Sequence, residues 1–218
     1  SAVRSIVPLT PEGFAEATRV SRETLARLEI YDALLLARSA QHNLVARSTL
    51  DDRWRRHFLD SAQLFPLIPE DAARLVDMGS GAGFPGLVLA AMGAARGLKV
   101  SLIESTGKKA AFLTEAAQAM RLGNVSVIPQ RIESTTFSVA PAVVTARALA
   151  PLAKLVGYAH GIAGKNTLCL FLKGQDVEGE LTEAAKSWHM DVKRIASVTS
   201  PDSAVLAITR LRPSRAVP

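Results

Sequence analysis

The chain is poor in the features that would announce several common classes. It holds one cysteine, Cys169, so it can form no internal disulfide, which fits a reducing compartment and a cytoplasmic location. Cys169 lies in the apolar run 168–172 and reads as a core residue rather than a catalytic thiol. No stretch approaches the ~20 apolar residues of a membrane span, so no membrane association is expected. The first ten residues lack the charged-then-apolar order of a secretory signal. The four histidines, His42, His57, His160 and His189, have no ligand-like spacing with the cysteine or with one another, so no metal site is expected. Internal repeats and low-complexity runs are also missing.

What is there is the material of an ordinary globular chain of 218 residues, 48% apolar and 21% charged. The net charge of +6 favours polyanionic partners without demanding them. Residues 1–70 carry nine arginines and nine acids, so the surplus lies in the rest of the chain. Within the neutral part, Arg53, Arg55 and Arg56 form a basic cluster beside His57.

The first 70 residues predict a helical cap. Apolar positions from residue 11 to about 40 fall at helical spacing, and a further helix is expected from residue 51 or 52 to 65, stopped by Pro66. From residue 71 onward short apolar strands alternate with helices. Strands are expected at 75–78, 100–103, 125–128, 143–146, 167–173, 192–198 and 205–211. Helices are expected at 85–95, 108–120, 149–160 and 177–187. That alternation predicts an α/β domain over 71–218, with a mostly parallel seven-stranded sheet closed by an antiparallel hairpin.

The most informative segment is Leu75-Val-Asp-Met-Gly-Ser-Gly-Ala-Gly-Phe-Pro-Gly86. Gly79, Gly81 and Gly83 follow the first strand and precede a helix, at the sheet edge where open α/β proteins bind ligands. The spacing fits a dinucleotide fingerprint as well as S-adenosylmethionine. Two features favour the second ligand. Asp77 stands where a carboxylate can meet an ammonium group, and Phe84-Pro85 puts bulk where a pyrophosphate needs room. Glu104 ends the second strand, 21 positions after Gly83, placed to accept hydrogen bonds from ribose hydroxyls in either reading. Gln130-Arg-Ile-Glu133 follows the third strand and is expected beside the adenine.

These residues resemble the GidB/RsmG family of small-subunit ribosomal RNA guanine-N7 methyltransferases. The resemblance rests on His57-Phe-Leu-Asp-Ser61, the glycine loop through Gly86, Glu104-Ser-Thr-Gly-Lys-Lys109, Val144-Thr-Ala-Arg-Ala148 and Leu172-Lys-Gly174. It implies a class I methyltransferase fold, Rossmann-like, with an N-terminal helical extension. It implies S-adenosylmethionine contacts at Gly79, Phe84, Ile132, Glu133 and Arg147, and supports Glu104 at the ribose. The partner it implies is 16S ribosomal RNA or the small subunit; the protein itself is expected to be a monomer. The chain departs from the family pattern at Val45, where Thr is common, and at Pro141-Ala142, where an aspartate is common.

Guanine N7 carries an in-plane lone pair, so attack on a sulfonium methyl needs no general base, and none is assigned. Holding nucleophile, carbon and sulfur in line is a positioning task. Candidate RNA contacts are Arg147 after the fourth strand, Lys108 and Lys109 at a helix start, Lys173 at the end of the fifth strand, and Arg53, Arg55, Arg56 and His57 in the cap, with Asp60 orienting His57. Two other functions remain open: methyl transfer to a small molecule or protein, and nucleotide binding without methyl transfer.

Overall fold

The computed structural model describes residues 6–214. Helix α1 (Pro11–Thr18) is capped by the Thr10 hydroxyl on Gly13 N, and α2 (Arg22–Ser39) by the Ser21 hydroxyl on Thr24 N. Helical apolar spacing runs unbroken over residues 11 to about 40. Arg19 breaks the helix by adopting a left-handed conformation (φ 58°) whose N–H closes on Ala15 O. The helix expected from 51 to 65 is likewise broken. It runs as a 3-10 turn (Arg47–Asp52), a π turn (Trp54–Leu59), a short α3 (Asp60–Ala62) and a 3-10 turn (Phe65–Leu67). Within it Asp60 N donates to Arg55 O, five residues back. Apolar spacing cannot separate that bonding from the ordinary i−4 pattern.

The remainder alternates as the sequence predicts. It comprises β1 (Arg74–Met78), α4 (Gly86–Gly93), β2 (Lys99–Ile103), α5 (Gly107–Ala119), β3 (Val125–Ile128), β4 (Val143–Arg147), α6 (Leu152–His160), β5 (Leu168–Lys173), α7 (Val177–Ala185), β6 (Trp188–Ala196) and β7 (Ala204–Pro213). Pro85 caps α4 instead of opening it. Helix α6 begins three residues later than expected, because Ala148 is left-handed (φ 49°) and Pro151, which has no N–H, serves as the N-cap. The sheet order is β3-β2-β1-β4-β5-β7-β6. Strands β1 to β5 are parallel, and β7 is inserted antiparallel between β5 and β6, so the expected hairpin closes the sheet.

Helix α4 explains the cap. Of its residues Gly86, Leu87, Val88, Leu89, Ala90, Ala91 and Gly93 are all buried, so it has no polar face to turn to water. One side lies on the sheet and the other must be covered. The cap supplies the cover: Phe14, Leu28, Tyr31, Leu35, Trp54, Phe58 and Leu64 join Leu87, Leu89 and Leu102 in one continuous apolar cluster. A second cluster on the opposite sheet face contains Leu152, Leu155, Val156, Cys169 and Phe171. Cys169 is buried there, and burial pushes its thiol up to about 12, far from a reactive thiolate.

Candidate active site

The site is built at the carboxyl ends of β1, β2 and β4, where the glycine loop (79–86) leaves β1. In the parallel register Asp77 of β1 stands beside Thr145 of β4. That pairing sets the Thr145 hydroxyl 2.8 Å from Asp77 Oδ1, to which it donates. Gly86 N donates to the other oxygen at 3.2 Å. Asp77 is fully buried, and burial raises its carboxyl to about 6, opposed by the hydrogen bonds it accepts from Thr145 and Gly86. The structure therefore gives the Asp77 carboxylate to the loop, as a brace between strand end and helix start, rather than to an open surface. Ser80 N adds a second brace by donating to Ile103 O at 3.0 Å.

Two loop glycines are required for different reasons. Gly81 is left-handed (φ +55°), and a Cβ built there would meet nothing nearer than Gly79 O at 4.0 Å. The space above it is free for a ligand to approach the backbone. A Cβ on Gly83 would stand 2.5 Å from the Tyr31 hydroxyl and 2.6 Å from Leu87. Gly83 thus makes room for the cap, not for a ligand.

An open cleft of about 130 Å³ lies beside the loop, lined by Gly79, Ile103, Glu104, Gln130, Ile132 and Glu133 among others. Glu104 is nearly buried. Its Oε1 accepts from Gly81 N at 2.9 Å and its Oε2 from Thr106 N at 2.8 Å, so the carboxylate is held at the loop. The cleft brings Gly79, Glu104, Ile132 and Glu133 together as the sequence predicts. It also includes Leu149 and Tyr158, which sequence reasoning missed. Tyr158 lies on the cleft-facing side of α6, and its hydroxyl helps hold the exposed Glu133 carboxyl below its ordinary range, after the main-chain hydrogen bond at Glu133 itself. Helical spacing alone marks Tyr158 only as partly apolar, so no signal separated it from a packing residue.

Beyond the loop the cap closes the site. The Phe84 ring is stacked on Tyr31 at 5.2 Å and on His57 at 5.0 Å, with Phe58 edge-on at 5.2 Å. The Tyr31 hydroxyl donates to Ala82 O, tying α2 to the loop. The bulk expected of Phe84 at the turn is real, but its ring is committed to the cap. Arg147, at the end of β4, lies over the same ring at 5.3 Å. Its Nη1 donates to Arg56 O at 3.2 Å and faces Asp60 Oδ2 at 3.4 Å, and its Nη2 is 3.0 Å from His57 Nδ1. A second cleft of about 170 Å³ is lined by Asp60, Arg147, Ala148, Leu172, Lys173, Gly174 and Ser203 with Ala204.

Several candidate RNA contacts are placed differently from expectation. The Lys173 ammonium is nearly buried, donates to Ala150 O at 2.9 Å and pairs with Glu180 at 3.0 Å, so it has no free charge for a phosphate. Arg53 is spent on Asp32, with Nη2 at 2.8 Å, and Arg55 on Asp52 and Val7 O. Asp60 does not orient His57. Its Oδ1 instead accepts from Thr199 Oγ1 at 2.7 Å and Gln63 Nε2 at 3.0 Å. His57 is buried, which with the nearby charges of Arg147 and Arg56 lowers its pKa to about 3, so it is a neutral internal ring rather than a phosphate contact. Arg56 and Lys108 are exposed and Lys109 is half-buried. None of these three has an ion-pair partner among the described residues.

Comparison with solved structures places the fold among the methyltransferases. A SAM-dependent methyltransferase from Aquifex aeolicus is 18% identical, with a TM-score of 0.55 covering 74% of this chain and 95% of that one. The S-adenosylmethionine complex of MtNAS is 14% identical, with a TM-score of 0.56 covering 92% and 84%. Two curated relatives, both called ribosomal RNA small subunit methyltransferase G, are nearer. That of Paramagnetospirillum magneticum is 50% identical, covering 95% of this chain and 99% of its own. That of Rhodospirillum rubrum is 48% identical, covering 92% and 97%. The family profile described as GidB, rRNA small subunit methyltransferase G, matches residues 24–206. With most of its length matched at this level, the chain belongs to the GidB family.

Proposed function

We propose that the protein transfers a methyl group from S-adenosylmethionine to N7 of a guanine in 16S ribosomal RNA. The observation that carries this reading is the loop–cleft arrangement in a member of the GidB family. Glu104 directly follows β2 and lines the cleft beside the loop together with Gly79, and a Cβ on Gly81 would occupy the open space above that residue. Those residues fit an adenosine-type cofactor: Glu104 would hold the ribose, Gly79 and Gly81 would let the amino-acid end approach, and Ile132 and Glu133 would border the adenine. The bound cofactor supplies an electrophilic methyl on a sulfonium.

The chain's own residues do the rest by positioning. Arg147 uses Nη1 and one Nη2 hydrogen within the protein, leaving Nε–H and the second Nη2–H without a partner among the described residues. Two donors on one planar group suit guanine O6 or a phosphate while leaving N7 free to attack. No proton has to be removed, which agrees with a second cleft whose titratable groups, Asp60, Arg147 and Lys173, are already paired with one another or with Glu180. A guanine in a duplex hides N7 in a deep groove, so the substrate is an unpaired or splayed base. Arg56, Lys108 and Lys109 remain as outer phosphate contacts. The cap over residues 1–70 and the sheet domain over 71–218 would act as one unit, joined by a continuous apolar cluster, in a cytoplasmic monomer.

The test is labelled methyl transfer to small-subunit RNA from cells lacking the activity, with the product digested to nucleosides. One new 7-methylguanosine is expected with wild-type protein, and a loss of 100-fold or more with Arg147→Ala at unchanged melting temperature. Label in protein or in small metabolites, with none in RNA, would overturn the reading in favour of the other acceptors.

A further inference from the structure

Four groups join the cap to the end of β4 in a single hydrogen-bonded line. Arg147 Nη2 lies 3.0 Å from His57 Nδ1, His57 Nε2 lies 2.6 Å from Thr49 Oγ1, and Thr49 Oγ1 lies 2.5 Å from Ala46 O. The direction of every proton follows from its two ends. A guanidinium only donates and a carbonyl only accepts. Nδ1 must therefore be the bare nitrogen, Nε2 must carry the hydrogen, and the Thr49 hydroxyl must accept from the ring and donate to Ala46. Burial and two neighbouring arginines keep the ring neutral, which leaves this one tautomer. The other tautomer would set Nδ1–H against an arginine N–H, with Arg147 forced to turn away.

We infer that Thr49 and His57 are positioning residues: by fixing the Nε2-protonated tautomer they hold Arg147 with its free donors at the second cleft. Neither residue touches substrate. Thr49 is buried on a 3-10 turn of the cap, 98 positions from the arginine it serves. Its hydroxyl is a relay rather than a cap, since it already bonds Ala46 O within its own turn. The ring is also stacked on Phe84, so the line that aims Arg147 is anchored on the glycine loop as well as on the cap. The inference rests on the proposed site but not on the identity of the methyl acceptor.

The test uses the full chain. Long-range proton–nitrogen NMR of the histidine rings reads the tautomer without any substrate. Wild-type protein near neutral pH is expected to show His57 protonated on Nε2 only. Thr49→Val keeps the volume and removes the relay. It should give a mixture of tautomers and a roughly tenfold fall in turnover on RNA, with the melting temperature held within a few degrees. Thr49→Ser should restore both signals. His57→Asn offers an acceptor near the Nδ1 position and should keep more activity than His57→Phe, which preserves only the stacking. Nδ1-protonated His57 in the wild type would overturn the inference. So would wild-type turnover in Thr49→Val, or equal losses in Thr49→Val and Thr49→Ser that follow melting temperature alone. If the wild type methylates no RNA, the acceptor assignment fails while the tautomer result still decides the relay.

Discussion

The two halves of the site are built in opposite ways. On the β2 side the parts all come from the sheet domain and are mostly backbone and strand ends: Gly79, Gly81, Glu104 and the 130–133 turn. On the β4 side they are side chains brought from far apart: Thr49, His57 and Asp60 from the cap, Phe84 from the loop, and Arg147. The first half depends on the shape of a loop, braced from the strand ends by Asp77, Ser80 and Glu104 and from the cap by the Tyr31 hydroxyl. The second depends on the cap being docked, so it inherits the stability of the apolar contact that the cap makes between Phe14 and Ile68.

That contrast can be broken at its strongest point by removing the cap's anchor. Phe58 is fully buried and touches Phe14, Tyr31, Trp54 and Phe84. Phe58→Ala should cost about 3–5 kcal/mol in chemical denaturation, with turnover falling before S-adenosylhomocysteine binding does. Equal loss of both would mean that the halves are not separable. Next in size, Gly81→Val should weaken S-adenosylhomocysteine binding on the order of 100-fold by calorimetry, because it blocks free space and strains a left-handed residue. Binding within a few-fold of wild type would remove the loop from the cofactor half.

The smallest expected effect is on pH dependence. His57 has its pKa lowered from 6.5 to about 3 by burial and by Arg147 and Arg56. Between those values the unfolded chain takes up a proton that the folded chain refuses, so stability falls as pH drops below about 6.5. Wild type should therefore lose about 2 kcal/mol more than His57→Asn between about pH 7 and pH 5, measured as the difference in unfolding free energies. Asp77 works in the other direction. Its folded carboxyl is raised to about 6, so its contribution is present at low pH and is lost as pH rises through that value. It is common to both proteins and cancels in the difference.

Much of this was legible in the sequence, and unevenly so. Strand–helix alternation, the closing hairpin and the glycine turn are local signals, and the elements appear within a few residues of expectation. Glu104 and the 132–133 pair were readable because position at a strand end fixes where a side chain emerges. The ion pairing of the charged side chains was not. Arg53 and Lys173 look like any exposed cation until Asp32 and Glu180 are brought beside them by folding. His57 could be marked as a residue of interest, but neither its neutral state nor its partners Thr49 and Arg147 follow from spacing. The π turn at 54–59 lies below what apolar periodicity can resolve.

The crowding at Gly83 has an engineering consequence. Where that residue would carry a side chain, the Tyr31 hydroxyl already stands, bonded to the neighbouring carbonyl of Ala82. The turn and the second helix therefore share one volume, and neither can be redesigned alone. Transplanting this bend into another scaffold would require bringing a tyrosine to lie across it, or refilling the hole that its departure leaves.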